Sequence, residues 1–189
     1  MLSNSPISFS SPSFIHSLSV LEDAMVGEAM DKAAILLLKQ GALMHDLGKI
    51  GVSDEILNKP DALNDEEHEL MKSHKVVTAT IMRPIKRFKE FAEIAAWHHE
   101  RWDGNCYPDG LKGEEIPLLA RIVSIADSGD AMTGDRVYRK GIEVFKAITI
   151  MENENDTGQW APKLLNEFIH MIRAEQQARE FIESDIYKA

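Results

Sequence analysis

The sequence holds a single cysteine, Cys106, no long apolar run and no excess of positive charge. Each shortage removes a class of protein. One cysteine closes no internal disulfide and builds no thiolate cage around a metal. The apolar stretch near Ala33–Leu38 is flanked by lysines and falls far short of the roughly 20 residues a membrane helix needs, so no membrane association is expected. The opening "MLSNSPISFSSPSF" has neither the basic start nor the apolar core of a signal peptide, which makes the cytoplasm the expected location. Acidic residues outnumber basic ones 31 to 21, a formal net charge of −10. A surface for DNA or RNA polymers is therefore not expected, although a few local cations suffice for a small anionic substrate. Alternating β-branched runs and internal repeats are also scarce.

What is present is helical. The 189 residues are 44% hydrophobic, enough for one domain with a substantial core. Residues 1–13, rich in Ser, Pro and Asn, read as a disordered tail, and 14–189 as a single helical domain. Phe14, Leu18, Leu21 and Met25 fit a short helix to about Met30. An apolar helix is expected from Lys32 to Leu47, broken by Gly48 and Gly51. Asn64, with Asp65, Glu66 and Glu67 behind it, starts a helix carrying Leu70, Met71, His74, Val77, Thr78 and Ile81 on one face. Residues 86–100 form another helix and Pro117 begins a third. After the polar gap "ENENDTGQW", an amphipathic helix runs from Pro162. The fold class is all-α.

The chemistry-bearing residues fall on the apolar faces of these helices. His74 follows Leu70 and Met71 by four and three residues, His98 follows Ile94 and Ala95 likewise, and Asp127 follows Val123 by four. His45 with Asp46, and His99 beside His98, complete the set. Residues at that spacing share a helix face, and a buried imidazole or carboxylate without a partner is costly. Taken singly, each has an ordinary reading as a packed histidine, a rim residue or an ion-pair partner. Together, on inward faces of four helices, they favour a mixed His/carboxylate metal site inside a bundle. Asp46 has two oxygens with which to bridge two cations. Two metals about 3.5–4 Å apart can share a hydroxide and stabilise both oxygens of a phosphoryl displacement. Lys49, Arg136 and Arg139 are the candidate phosphate contacts, with a solvated surface charge as the alternative for each.

From Ala42 to Arg139 the chain resembles the HD-GYP family, a branch of the HD metal-dependent phosphohydrolases, with a weaker extension to Phe168. The resemblance lies in "HDLGKIGVSDEILNKPDAL", "EEHELMKSH", "HHERWDGNCYPDGLKGEEIP" and "ARIVSIADSGDAMTGDRVYRK". It implies an HD-domain helical bundle with a centre of two or three metal ions in its core, usually iron or manganese, and hydrolysis of cyclic di-GMP to pGpG and on to GMP. By position it implies His45, Asp46, His74, His98, His99 and Asp127 as metal ligands, and Lys49, Arg136 and Arg139 as residues near the substrate phosphates. Asp46 and Lys49 are the residues expected at the reacting centre. His16, in "HSLSV", matches a further ligand position at shorter spacing. The glutamate that can accompany it is Pro12 here, so two metals are expected rather than three.

The chain departs from the family pattern at Cys106 in place of the name-giving glycine. It also departs at Lys75 for a proline, Thr78 for a glycine, Ala161 for an aspartate and Val137 for a proline. If the backbone at 106 needs φ > 0, cysteine strains the loop. Three functions stay open: a cyclic di-GMP phosphodiesterase, a catalytically weak module that binds cyclic di-GMP or a diguanylate cyclase domain, and an HD hydrolase for another nucleotide.

Overall fold

The computed structural model describes residues 30–106, 108–135 and 140–186. The described chain is all-α, as expected, and contains no strand element. Its helices are α1 (Lys32–Met44), α2 (Asp54–Leu57), α3 (Asp65–Lys72), α4 (His74–Met82), α5 (Lys89–Trp97), α6 (Leu118–Thr133), α7 (Val144–Asn155) and α8 (Pro162–Ile186). Tight 3₁₀ turns lie at Leu47–Gly51, Lys86–Phe88 and Gly113–Glu115. No described helix is long and apolar enough to cross a membrane.

The core is built by the apolar stripes of α1, α5, α6, α7 and α8. Leu38 and Ala42 meet Ile94, Ile122, Val123 and Ile125, and Met151, Leu165 and Phe168 close over them. Beside this core, α4 packs on α5 and on the turn Leu47–Gly51. That packing sets the site, because it brings His74 and the His45–Asp46 pair against the end of α5.

Local signals start and stop the elements. Asn64 caps α3 as expected: its Oδ1 accepts from the Glu67 amide at 2.9 Å, and the Glu67 carboxylate accepts from the Asn64 amide at 2.8 Å, a reciprocal cap. The helix expected to run unbroken from Asn64 past Ile81 is instead two helices, α3 and α4, meeting at Ser73. There the Ser73 hydroxyl donates to the Leu70 carbonyl and its amide is shared between Glu69 and Leu70, which tightens one turn. The expected helix at 32–47 ends at Met44 and continues as a turn. The helix expected over 86–100 is regular only from Lys89 to Trp97. Helix α7 was not anticipated, although Ala147, Ile148 and Met151 are buried at helical spacing. The expected tail at 1–13 and the helix from Phe14 lie outside the described residues.

Candidate metal centre

Helix ends supply most of the candidate ligands. His45 is the residue at which α1 stops, Asp46 leads into the 3₁₀ turn, His74 opens α4, and His98 ends α5 with His99 beyond it. Asp127 lies within α6. The structure brings all six together. His45 Nε2 lies 3.3 Å from Asp46 Oδ2 and 3.7 Å from Asp127 Oδ1, and His74 Nε2 lies 3.2 Å from Asp46 Oδ1. The His98 ring is centred 4.8 Å from His45, 6.0 Å from His74 and 4.0 Å from His99. His45, His74 and His98 are buried, and His99 is half-buried.

The orientation of the imidazoles is as informative as their proximity. Nδ1 of His45, His74 and His98 each meets the carbonyl three residues earlier, of Ala42, Met71 and Ala95, at 2.6, 2.5 and 3.0 Å. An Nδ1–H donated to a carbonyl fixes the ring and makes Nε2 the atom that would ligate. Nε2 of His98 is buried with no hydrogen-bond partner, and Nε2 of His74 and Oδ1 of Asp46 are buried with only each other, 3.2 Å apart. Such atoms are costly unless a cation meets them. Ligand atoms of His74, His98 and His99 lie within 4.8 Å of one another, as do those of His45, Asp46 and His98. These two overlapping sets could each hold an ion.

The electrostatics follow from burial and the carboxylates. Burial alone would raise the Asp46 carboxyl, but the charges of His45 and Lys49 hold it well below the ordinary range. Burial would depress His45, but Asp46 and Asp127 outweigh it and raise the ring to about 10. Burial, aided by the charge on His45, pushes His98 down to about 3, and His99 is also held well below its ordinary value by burial and its neighbouring histidines. Lys49 is fully buried and its Nζ lies 2.6 Å from Asp46 Oδ2. A solvated surface charge is therefore the wrong description of Lys49. His16, Arg136 and Arg139 lie outside the described residues.

The rim loop after His99 is held by Glu100, which nothing in the sequence singles out, and lies over Lys75, singled out only as a departure from the family pattern. Glu100 is buried and accepts from the amides of Asp109 and Gly110. Lys75 is also buried, under the same loop, where burial lowers it to about 8 against the pull of Cys106 and Glu100. Asp130, one turn past Asp127, is buried as well. The helix-face pattern could have flagged Asp130, whereas Glu100 and Lys75 have no periodic signal. The strain expected at Cys106 does not arise. No described residue other than glycine has a positive φ, and the loop takes its left-handed positions at Gly104, Gly110 and Gly113.

Comparison with known proteins agrees with this geometry. The chain is 40% identical over 129 residues to 3'3'-cGAMP-specific phosphodiesterase 3 of Vibrio cholerae, covering 68% of this chain and 28% of that protein. It is 40% identical over 147 residues to a cyclic di-GMP phosphodiesterase of Thermotoga maritima, covering 75% of this chain and 39% of that protein. It thus spans well under half the length of either relative. An HDG"Y"P protein from Bdellovibrio bacteriovorus has the same fold, with a TM-score of 0.69 at 21% identity over 85% of this chain and 50% of that one. The family description "HD domain" matches residues 8–164, a span that holds all six clustered ligands and Lys49. By that match, and by the His–Asp pair at the centre of the cluster, the chain belongs to the HD domain family.

Proposed function

We propose that this chain is a metal-dependent phosphodiesterase of the HD-GYP type that hydrolyses cyclic di-GMP to pGpG and onward to GMP. The observation that carries the reading is the convergence of two buried imidazoles, His45 and His74, on the two oxygens of Asp46, with His98 within 4.8 Å of His45 and Asp46 and all three rings tethered through Nδ1. The names of the relatives supply the substrate class. His45 and Asp46, with Asp127 3.7 Å from His45, would hold one divalent ion, and His74, His98 and His99 a second, with Asp46 3.2 Å from His74 and within reach of both. A nitrogen and oxygen donor set without thiolate suits iron or manganese. Such ions supply Lewis acidity and an ionised water near neutral pH. The chain's own residues do the rest. Asp46 fixes the spacing of the two positions, and Lys49 balances its charge beside the incoming phosphate. Arg136 and Arg139, shortly after α6, would hold phosphate oxygens. Attack at phosphorus breaks one P–O3' bond, leaves the phosphate on the 5' oxygen and returns a proton to the freed 3' hydroxyl.

The test is metal analysis of anaerobically purified protein, coupled to turnover of cyclic di-GMP with 3'3'-cGAMP as a competitor. Two equivalents of iron or manganese and linear product are expected. Less than one equivalent after reconstitution would refute the metal centre. The departures at Lys75, Thr78 and Cys106, all beside the ligands, favour a second reading: a module that binds cyclic di-GMP, or a diguanylate cyclase domain, without turnover. Metal-loaded protein that binds the dinucleotide and releases no product would establish it.

A further inference from the structure

Glu100 follows directly on His98 and His99 and is only 3% exposed. One of its oxygens, Oε1, accepts from the Asp109 amide at 2.8 Å and the Gly110 amide at 3.2 Å. The Asp109 carboxylate in turn accepts from Trp97 Nε1 at 2.7 Å. The far side of the rim loop is therefore tied to the chain on both sides of the His98–His99 pair. The other oxygen, Oε2, is buried without a hydrogen-bond partner, and so are Arg121 Nε on α6 and Trp160 Nε1 ahead of α8. These three residues, with Trp102, Ser124 and Gln159, line one cavity of about 10 Å³. That is about the volume one water molecule needs. The chemistry of the lining also matches a water. It would donate to the carboxylate oxygen and accept from the guanidinium and indole N–H groups, satisfying all three.

We propose that Glu100 is a positioning residue of the metal centre: one oxygen holds the rim loop, and the other holds a single water that joins the loop to α6 and to the start of α8. The carboxylate acts through reach and hydrogen bonding, so side-chain length matters more than charge. Helix α6 carries Asp127, so Glu100 places the rim loop in register with ligands on two separate helices. The consequence for substrate rests on the phosphodiesterase reading; the consequence for the loop does not.

Two variants separate these properties. Glu100→Asp keeps the charge and loses the reach, whereas Glu100→Gln keeps the reach and an acceptor for both amides. Hydrogen exchange across residues 104–113 is the first measurement, on metal-loaded protein. Faster exchange at Asp109 and Gly110 is expected in the aspartate variant, with protection retained in the glutamine variant. Metal content and unfolding temperature should stay at the wild-type level in both. For cyclic di-GMP, the aspartate variant should raise KM about tenfold or more with little change in kcat, while glutamine restores it. The water link predicts that Glu100→Asp and Trp160→Phe are non-additive in their effect on loop exchange, although the two side chains share no direct hydrogen bond. Additive effects would overturn the water link. Unchanged exchange in the aspartate variant, or equal loss of metal from both variants, would overturn the positioning role. A wild type that fails to turn over substrate yet shows this exchange pattern would refute the phosphodiesterase reading alone.

Discussion

At the scale of the residue, His45 sets the terms on which an ion enters. Its ring lies between Asp46 and Asp127, and although burial opposes it, their charge raises the pKa to about 10. At neutral pH the ion-free ring therefore carries a proton, whereas ligation needs it neutral. Loading should release about one proton per chain from His45, and apparent affinity should rise about tenfold per pH unit towards pH 10. Calorimetry in buffers of different ionisation enthalpy reads the released proton directly; none would mean that His45 is neutral beforehand. The sign for stability is opposite. A pKa raised from 6.5 to about 10 gives the ion-free fold a contribution that is complete below pH 6.5 and lost as the pH climbs to 10. His98, pushed down to about 3, is already neutral and adds no proton. Asp46 is the other decisive residue. Asp46→Asn should abolish metal retention and turnover while circular dichroism stays helical, and unchanged metal content would place the bridge elsewhere. Cys106 bears differently on the fold. With no left-handed backbone there, Cys106→Gly should leave metal content unchanged and lower stability by about 0.5–1 kcal/mol through added freedom in the unfolded chain.

Between elements, the decisive contact is that of the Leu47–Gly51 turn with α4. A Cβ at Gly48 would run into the His74 carbonyl and the Thr78 hydroxyl, so only glycine allows this approach. The Gly48 amide donates to Thr78 Oγ1 at 2.7 Å, and that hydroxyl donates to the His74 carbonyl at 2.8 Å. Thr78, a departure from the family pattern, thus satisfies a buried amide beside a ligand. Thr78→Val preserves shape and removes the acceptor; a loss of about 1–3 kcal/mol is expected by denaturant unfolding. Much of this level was legible in the sequence. Apolar spacing placed His74, His98 and Asp127 on inward faces, and Asn64 with Glu67 marked the start of α3. What was illegible depended on contacts remote in sequence. The break at Ser73 keeps both halves helical, so residue periodicity hardly registers it. Glu100 and Lys75 look like surface charges until the rim loop folds over them. Helix α7 is masked in the sequence because the polar "ENEN" that ends it resembles a linker, although Ala147, Ile148 and Met151 carry the helical period.

For the whole molecule, the cluster gathers its candidate ligands from α1, α4, α5 and α6, so an ion bound there would stabilise the assembled fold and not the unfolded chain. At a free concentration 100 times its Kd, one ion adds about 2.7 kcal/mol. For a chain of this size that is a rise in Tm on the order of 5–10 °C. Calorimetric scans with and without a chelator should show that gap, and coincident transitions would mean that the ion binds folded and unfolded chains alike. The loop at Pro60–Ala62 is exposed and separates His45 and Asp46 from every later ligand. An ion bound to both sides closes that loop as a covalent staple would, in a chain whose lone thiol can form none. Protease nicking at Pro60–Ala62 should therefore leave the two fragments eluting together while metal is present. Chelation should leave the fragments joined only by the packing of α1 and the Leu47–Gly51 turn on α4, α5 and α6, and fragments that still co-elute would show that this packing alone suffices.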